Sequence, residues 1–229
     1  MYSNLIDIIN VNLIDHINKN IIPLYDNFDK AHSRRHVNTV IKQSLHLACL
    51  FKANLAITYV AAAYHDIGLG YYPNEPIKSR KYHHKYSQIL TEQDSRLKEL
   101  FNAEDIKVIA QACHDHRASL KEEPLSIYGQ IIADADRMDG LEIKEMIIRA
   151  WEHTNYYSPE LTFEEVYQNI YKHLKEKYGY NGYAYKSFYL KESKQMIKKN
   201  IIASQKILNS EHKFKAIFNK LVEDGKVSL

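Results

Sequence analysis

Apolar side chains recur at three- and four-residue steps along most of the chain. Ile6, Ile9, Leu13, Ile17 and Ile21 predict a helix over residues 3–22, stopped by Pro23. Residues 32–51 predict a second, with Val37, Val40, Ile41, Leu45, Ala48 and Cys49 on its apolar side. Residues 54–67 predict a third that is apolar nearly all round and ends at Gly68, so it belongs at the centre of a core. Two Pro and a Gly make residues 69–79 a loop, and a helix follows over 80–94. Asn102 caps a helix that runs to Arg117, with Asp105 in its first turn. Pro124 and Ser126 open a segment that runs through Ile131, Ile132 and Met138 to Gly140.

Helical spacing continues beyond Gly140. Leu141 to Thr154 is one segment. Thr162 with Glu165 forms a capping box that opens a helix to about Tyr178. Residues 186–208 and 211–223 predict the last two. No stretch alternates as a strand does. The expected fold is all-α, a single domain over residues 1–229 with a helical extension from about residue 141.

Composition agrees. The 229 residues include only 7 Gly and 5 Pro, against average usage of roughly 7% and 5%. So few turn formers disfavour β-sandwiches and barrels. The longest apolar run, Ala53 to Tyr64, is short of the about 20 residues a spanning helix needs. Met1-Tyr2-Ser3-Asn4 has no basic region and Asp7 follows soon, unlike a secretory signal. Cys49 and Cys113 make no CxxC, and are expected to be buried thiols in a reducing cytoplasm. A formal charge of +3 is too small to imply a nucleic-acid polymer as partner.

The 12 histidines matter through their positions. His36, His65-Asp66, His84, His114, His116, Asp134 and Asp136 fall on separate predicted helices or near their ends. A helical bundle builds a metal site from ligands that converge in this way. His65-Asp66 closes a nearly apolar helix, where a carboxylate is costly to bury unless something pairs it. The dipeptide alone also suits a helix end whose Asp bonds a loop backbone.

The order is more specific: His36-Val37 with Val40; Ala61-Ala62-Ala63-Tyr64-His65-Asp66-Ile67-Gly68; His84 with Ser87; His116-Arg117-Ala118-Ser119; Asp134-Ala135-Asp136-Arg137-Met138. This set, over about residues 29–139, resembles the HD-domain superfamily of metal-dependent phosphohydrolases. The resemblance implies an HD-domain helical bundle. It implies a metal site made by His36, His65, Asp66 and Asp136, with Asp134 the rival to Asp136. Members with two metals add two histidines, here His84 and His116, with His114 the rival. Leu69 stands where many relatives carry Lys. The His-His…Gly-Tyr-Pro pattern of cyclic-dinucleotide phosphodiesterases is absent.

The implied chemistry is hydrolysis of a phosphoester of a nucleotide or other small phosphorylated metabolite in the cytoplasm, away from membranes. One or two divalent ions (Mn, Mg, Fe, Co, Ni or Zn) would activate water and neutralise phosphoryl charge. Asp66, His84 and His116 are the catalytic candidates, and Arg35, Arg117 and Arg137 are candidates to hold phosphate. A minority of the superfamily uses four His and two Asp for a mixed-valence di-iron oxygenase, and a non-catalytic nucleotide-binding regulatory module is the third reading. His32 and His83 sit beside expected ligands, either lining the pocket or as satisfied neighbours. His16, His46, His153, His173 and His212 are expected to be surface or satisfied groups. The Tyr178–Tyr189 stretch is either a pocket-covering aromatic loop or a helix connection.

Overall fold

The computed structural model describes residues 9–228. Among these, eleven α-helices and no strand are present. Residues 3–8 of the first expected helix lie outside the described residues. Two compact units form, one from the segment ending at Phe28 together with His32–Asp139, the other from Asp29–Ala31 and the segment beginning at Gly140. The division falls at the start of the expected C-terminal extension.

The first unit opens with α1 (Val11–His16), capped by the Asn10 side chain. The helix does not stop at Pro23. It widens into a π turn over Ile17–Ile21 and tightens into a 3₁₀ segment over Ile22–Asn27. Proline at the first positions of that segment needs no amide partner, so the chain keeps winding. Then come α2 (Arg34–Phe51), α3 (Leu55–Tyr64), a 3₁₀ turn at Ile67–Gly70, and α4 (Pro76–Gln93). Pro76 opens α4 a turn earlier than the loop reading expects. A short helix that the spacing does not reveal, α5 (Ser95–Leu100), is capped by Asp94. Asn102 caps α6 (Ala103–Asp115), and Ser126 caps α7 (Ile127–Met138).

Every residue of α3 from Ile57 to Tyr64 is buried, as its apolar girth requires. Helices α2, α6 and α7 pack around it, and α4 packs on α6 and on the 3₁₀ turn. Cys113 is buried, with its thiol pushed up to about 12 by burial. Cys49 is exposed, contrary to expectation. The buried stripe of α2 ends with Leu47 and Ala48, and the next residue is carried off that face by the helical turn.

The second unit contains α8 (Ile143–Tyr157), α9 (Phe163–Tyr178), α10 (Lys191–Leu208) and α11 (Glu211–Glu223). Both halves of the Thr162–Glu165 capping box form. Trp151, Phe163, Tyr167, Phe214 and Phe218 pack edge-on and tilted in its core. Between α9 and α10, a 3₁₀ turn covers Ala184–Ser187, and Tyr180 and Tyr183 are exposed. Gly140 has φ +69°, and a side chain there would meet Arg149. No described helix is long and apolar enough to cross a membrane.

Candidate metal centre

Helix α3 carries its buried run directly into His65 and Asp66, which are 0% and 3% exposed. The segment is fixed by Tyr25, whose hydroxyl donates to the Ala63 carbonyl at 2.9 Å and accepts from the Asp66 amide at 3.3 Å. Burial, then the Asp66 charge, push the Tyr25 hydroxyl well above its ordinary range, so it stays a donor. The chain then bends through the 3₁₀ turn, where Gly68 lies against α4. A side chain on Gly68 would fall on the His83 carbonyl and the Ser87 amide, and its own amide donates to Ser87 Oγ at 2.9 Å. This backbone contact brings α4 next to the His-Asp pair.

The two oxygens of Asp66 face two different sets of imidazoles. Oδ2 is 3.2 Å from His65 Nε2 and 3.5 Å from His36 Nε2. Oδ1 is 3.3 Å from His116 Nε2 and 3.4 Å from His83 Nε2. Within each set the nitrogens are close as well: 3.2 Å between His36 and His65, 3.1 Å between His83 and His116. Asp136 Oδ1 lies 3.3 Å from His36 Nε2 and is the partly exposed edge of the first set.

Each ring is held from behind through Nδ1. His65 bonds the Ala62 carbonyl at 2.7 Å, His83 that of Arg80 at 2.8 Å, and His116 that of Cys113 at 2.5 Å. His36 bonds the buried carboxylate of Asp139 at 2.8 Å. A neutral imidazole that donates from Nδ1 has a bare lone pair on Nε2. Pairs of bare nitrogens just over 3 Å apart repel unless a cation lies between them. Ligand atoms about 2.0–2.2 Å from one ion are themselves about 3–3.5 Å apart, the spacing found here. His36, His65 and Asp66 form one group able to hold an ion; Asp66, His83 and His116 form another. The donor set fits divalent transition metals.

The electrostatics suit this use. Burial would raise the Asp66 carboxyl, but His65 foremost, with His116 and His36 beside it, holds it well below the usual range, so it stays an anion among the rings. Asp136 is likewise held low: burial opposes ionisation, and His36 at 3.3 Å, with His65, outweighs it. Burial, against the pull of Asp66, depresses His83, which keeps the ring neutral.

Of the expected residues, the fold brings His36, His65, Asp66, His116 and Asp136 together. His84 stands apart. Its Nδ1 is 3.2 Å from Arg117 Nη1 and its ring 5.0 Å from that of His114, and burial followed by the Arg117 charge pushes it down to about 3. The preceding residue, His83, takes the place at Asp66. Ser79, His83, Ser87 and Thr91 are all buried at four-residue steps, so they form the inward stripe of α4. Those residues are small and polar rather than apolar, and the i, i+4 repeat is the signal available in the sequence. Asp139 also has a role that the motif did not assign. It lies one turn after Asp136.

The rivals are placed differently. Asp134 is fully buried and 3.8 Å from Arg137, while His114 bonds Asp115 at 3.2 Å. Of the three candidate arginines, Arg137 is thus turned to Asp134. Arg35 is 3.9 Å from Asp139 Oδ1, behind His36. Arg117 donates to the Lys81 carbonyl, to that of Arg80 at 3.4 Å, and to Ser119 Oγ at 2.7 Å. His16 bonds the Tyr64 hydroxyl at 2.9 Å and Asp94 at 3.2 Å, a satisfied histidine.

The model of the HD domain family matches residues 31–141. No curated protein matches the chain. A crystal structure from Lactobacillus plantarum, a structural genomics target, superposes with a TM-score of 0.63 over 92% of this chain and 99% of its own, at 20% identity. The crystal structure of a predicted HD superfamily hydrolase from an uncultured Thermotogales bacterium gives a TM-score of 0.51 over 76% of this chain and 92% of its own, at 21% identity. At these identities the two structures share the fold with this chain.

Proposed function

Since residues 31–141 are an HD domain, and the chain thereby belongs to the HD-domain superfamily, we propose that it is a metal-dependent phosphohydrolase acting on a small phosphorylated metabolite, a nucleotide foremost. One observation carries the reading. The buried Asp66 carboxylate divides its oxygens between two pairs of Nε2 atoms, on rings whose Nδ1 atoms are each engaged by an acceptor behind them. Were two ions bound, His36, His65 and Asp136 would hold one and His83 and His116 the other, with Asp66 offering an oxygen to each. A divalent metal held there supplies positive charge to a phosphoryl oxygen and makes water more acidic near neutral pH.

The protein's own groups do the positioning. The carbonyls of Ala62, Arg80 and Cys113 and the carboxylate of Asp139 fix the four rings with their lone pairs inward. Asp136 remains ionised and partly open to solvent, so it accepts a hydrogen bond from the attacking water.

The test is metal content by elemental analysis on protein purified without chelator or affinity metal, followed by a phosphoesterase screen over nucleotides with Mn, Mg, Co, Ni, Zn and Fe. Expected are one or two divalent ions per chain and release of phosphate or an alcohol. The His65→Ala/Asp66→Ala double variant should lose both metal and activity; full activity in that variant would sink the assignment. Four histidines and two carboxylates also suit a di-iron oxygenase. Two irons with oxygen uptake and no phosphoester turnover would move the chain to that chemistry.

A further inference from the structure

The metal centre has an uncompensated positive flank. Helix α4 carries Arg80, Lys81 and Lys85 around His84, and Arg117 reaches across to the same turn of that helix. Arg117 is bound by two carbonyls, a serine hydroxyl and an imidazole, all neutral acceptors, so it is fixed in place and keeps its full charge. Among the described residues, no carboxylate pairs with Arg80, Lys85 or Arg117. On α6, Asp115 is already engaged by Gln111, His114 and the Leu125 amide.

This flank adjoins the second half of the centre. Arg80 supplies the carbonyl that orients His83, and its charge reaches both His83 and Arg117. His84 follows His83 directly and feels Arg117, His114, His116 and Lys85. One phosphate at the centre would meet the charge of the bound metal. It would leave three cations beside it without a counterion.

We infer that Arg117, with Arg80 and Lys85, forms a second phosphate subsite next to the His83–His116 side of the centre, so that the substrate carries two or more contiguous phosphates. The inference rests on the phosphohydrolase reading and narrows its substrate to phosphoanhydrides such as nucleoside di- or triphosphates. In the reaction, a water oxygen bonds to the phosphorus at the centre and the bridging P–O bond breaks. The bond's electron pair leaves with the phosphate held at Arg117, and the water proton passes to solvent. Arg117 suits the leaving phosphate because its charge is held in place by Nε and Nη1, while Nη2, which none of these contacts uses, can donate to a phosphate oxygen. Arg35 and Arg137 are excluded from this role by their places beside Asp139 and Asp134.

Two measurements test it on the full chain. Calorimetric titration with inorganic pyrophosphate and inorganic phosphate should show pyrophosphate binding at least tenfold tighter. Arg117→Gln should bring that ratio close to one. Lys85→Gln changes an exposed side chain and should lower the ratio severalfold. Kinetically, the ratio of kcat/KM for adenosine diphosphate over bis(p-nitrophenyl) phosphate should fall tenfold or more in Arg117→Gln. Equal binding of the two anions by the unaltered protein, or ratios unmoved in both variants, would overturn the subsite. A pyrophosphate preference that depends on Arg117, in a protein that turns over no phosphoester with any metal, would uphold the subsite and overturn the hydrolase reading.

Discussion

Nε2 of His83 stands 3.4 Å from Oδ1 of Asp66, the carboxylate oxygen that His36 and His65 do not approach. The adjacent His84 is turned about 100° around the helix and meets Arg117 instead. Replacing His83 with Ala should therefore remove the ion on the His116 side, with metal affinity there falling by more than roughly the 100-fold that marks loss of an orienting partner. His84→Ala should leave the metal content per chain as it was. Elemental analysis and competitive titration against a chromogenic chelator check both. Metal loss in His84→Ala with retention in His83→Ala would reverse the assignment.

Asp139 holds His36 from behind at 2.8 Å and is buried. Asp139→Ala leaves the His36 Nδ1–H without its acceptor, at a cost of about 1–3 kcal/mol in stability. Metal affinity should drop roughly 10–100-fold. Asp139→Asn retains an acceptor oxygen and should lose less. Thermal unfolding with and without metal separates the two effects.

Gly68 lets the 3₁₀ turn touch the backbone of α4 at His83 and Ser87. Gly68→Ala should cost about 1–3 kcal/mol or more, because backbone atoms yield less readily than side chains. It should also displace His83 from Asp66 and weaken metal binding. Ser87→Ala removes the acceptor for the Gly68 amide and should cost about 1–3 kcal/mol with less disturbance of the centre. Denaturant unfolding and metal titration of both variants give the comparison.

Acid should weaken the α1–α3–α5 junction. Burial opposes ionisation of Asp94, but hydrogen bonds from the Tyr64 hydroxyl and the Leu97 and Arg96 amides, with the His16 charge, hold its carboxyl below the ordinary value. A carboxyl lowered on folding contributes stability above its unfolded pKa of about 3.9 and loses it as pH falls through the folded value. Unfolding free energy measured between pH 6 and pH 3 should therefore decline, and the decline should be shallower in Tyr64→Phe. Identical slopes for the two proteins would refute this role of Asp94.

The helices were legible because their signals are local. Apolar residues at three- and four-residue steps, Asn102, Ser126 and Thr162 as caps, and the scarcity of Gly and Pro all act within a few residues of where they stand. The winding around α1 departs from its local signals. A proline at the start of a 3₁₀ segment loses no hydrogen bond, so Pro23 did not end the winding. Cys49 lies one helical step beyond the buried stripe that ends at Ala48, and a one-residue step at the edge of a stripe leaves little trace in the apolar pattern.

The sequence by itself determined an all-α chain and the order His36, His65-Asp66, His116, Asp136, because neighbouring residues dictate helix periodicity and chemical identity is written in the chain. Only the tertiary structure decided which faces meet. The approach of Gly68 to α4 put His83, and not His84, against Asp66. The pairing of α2 with the end of α7 gave His36 its Asp139, and the reach of Arg117 to α4 set it apart from Arg35 and Arg137. These are contacts between residues 15 to 103 positions apart, fixed by side-chain volume and backbone clearance across packed helices, and no local pattern encodes them.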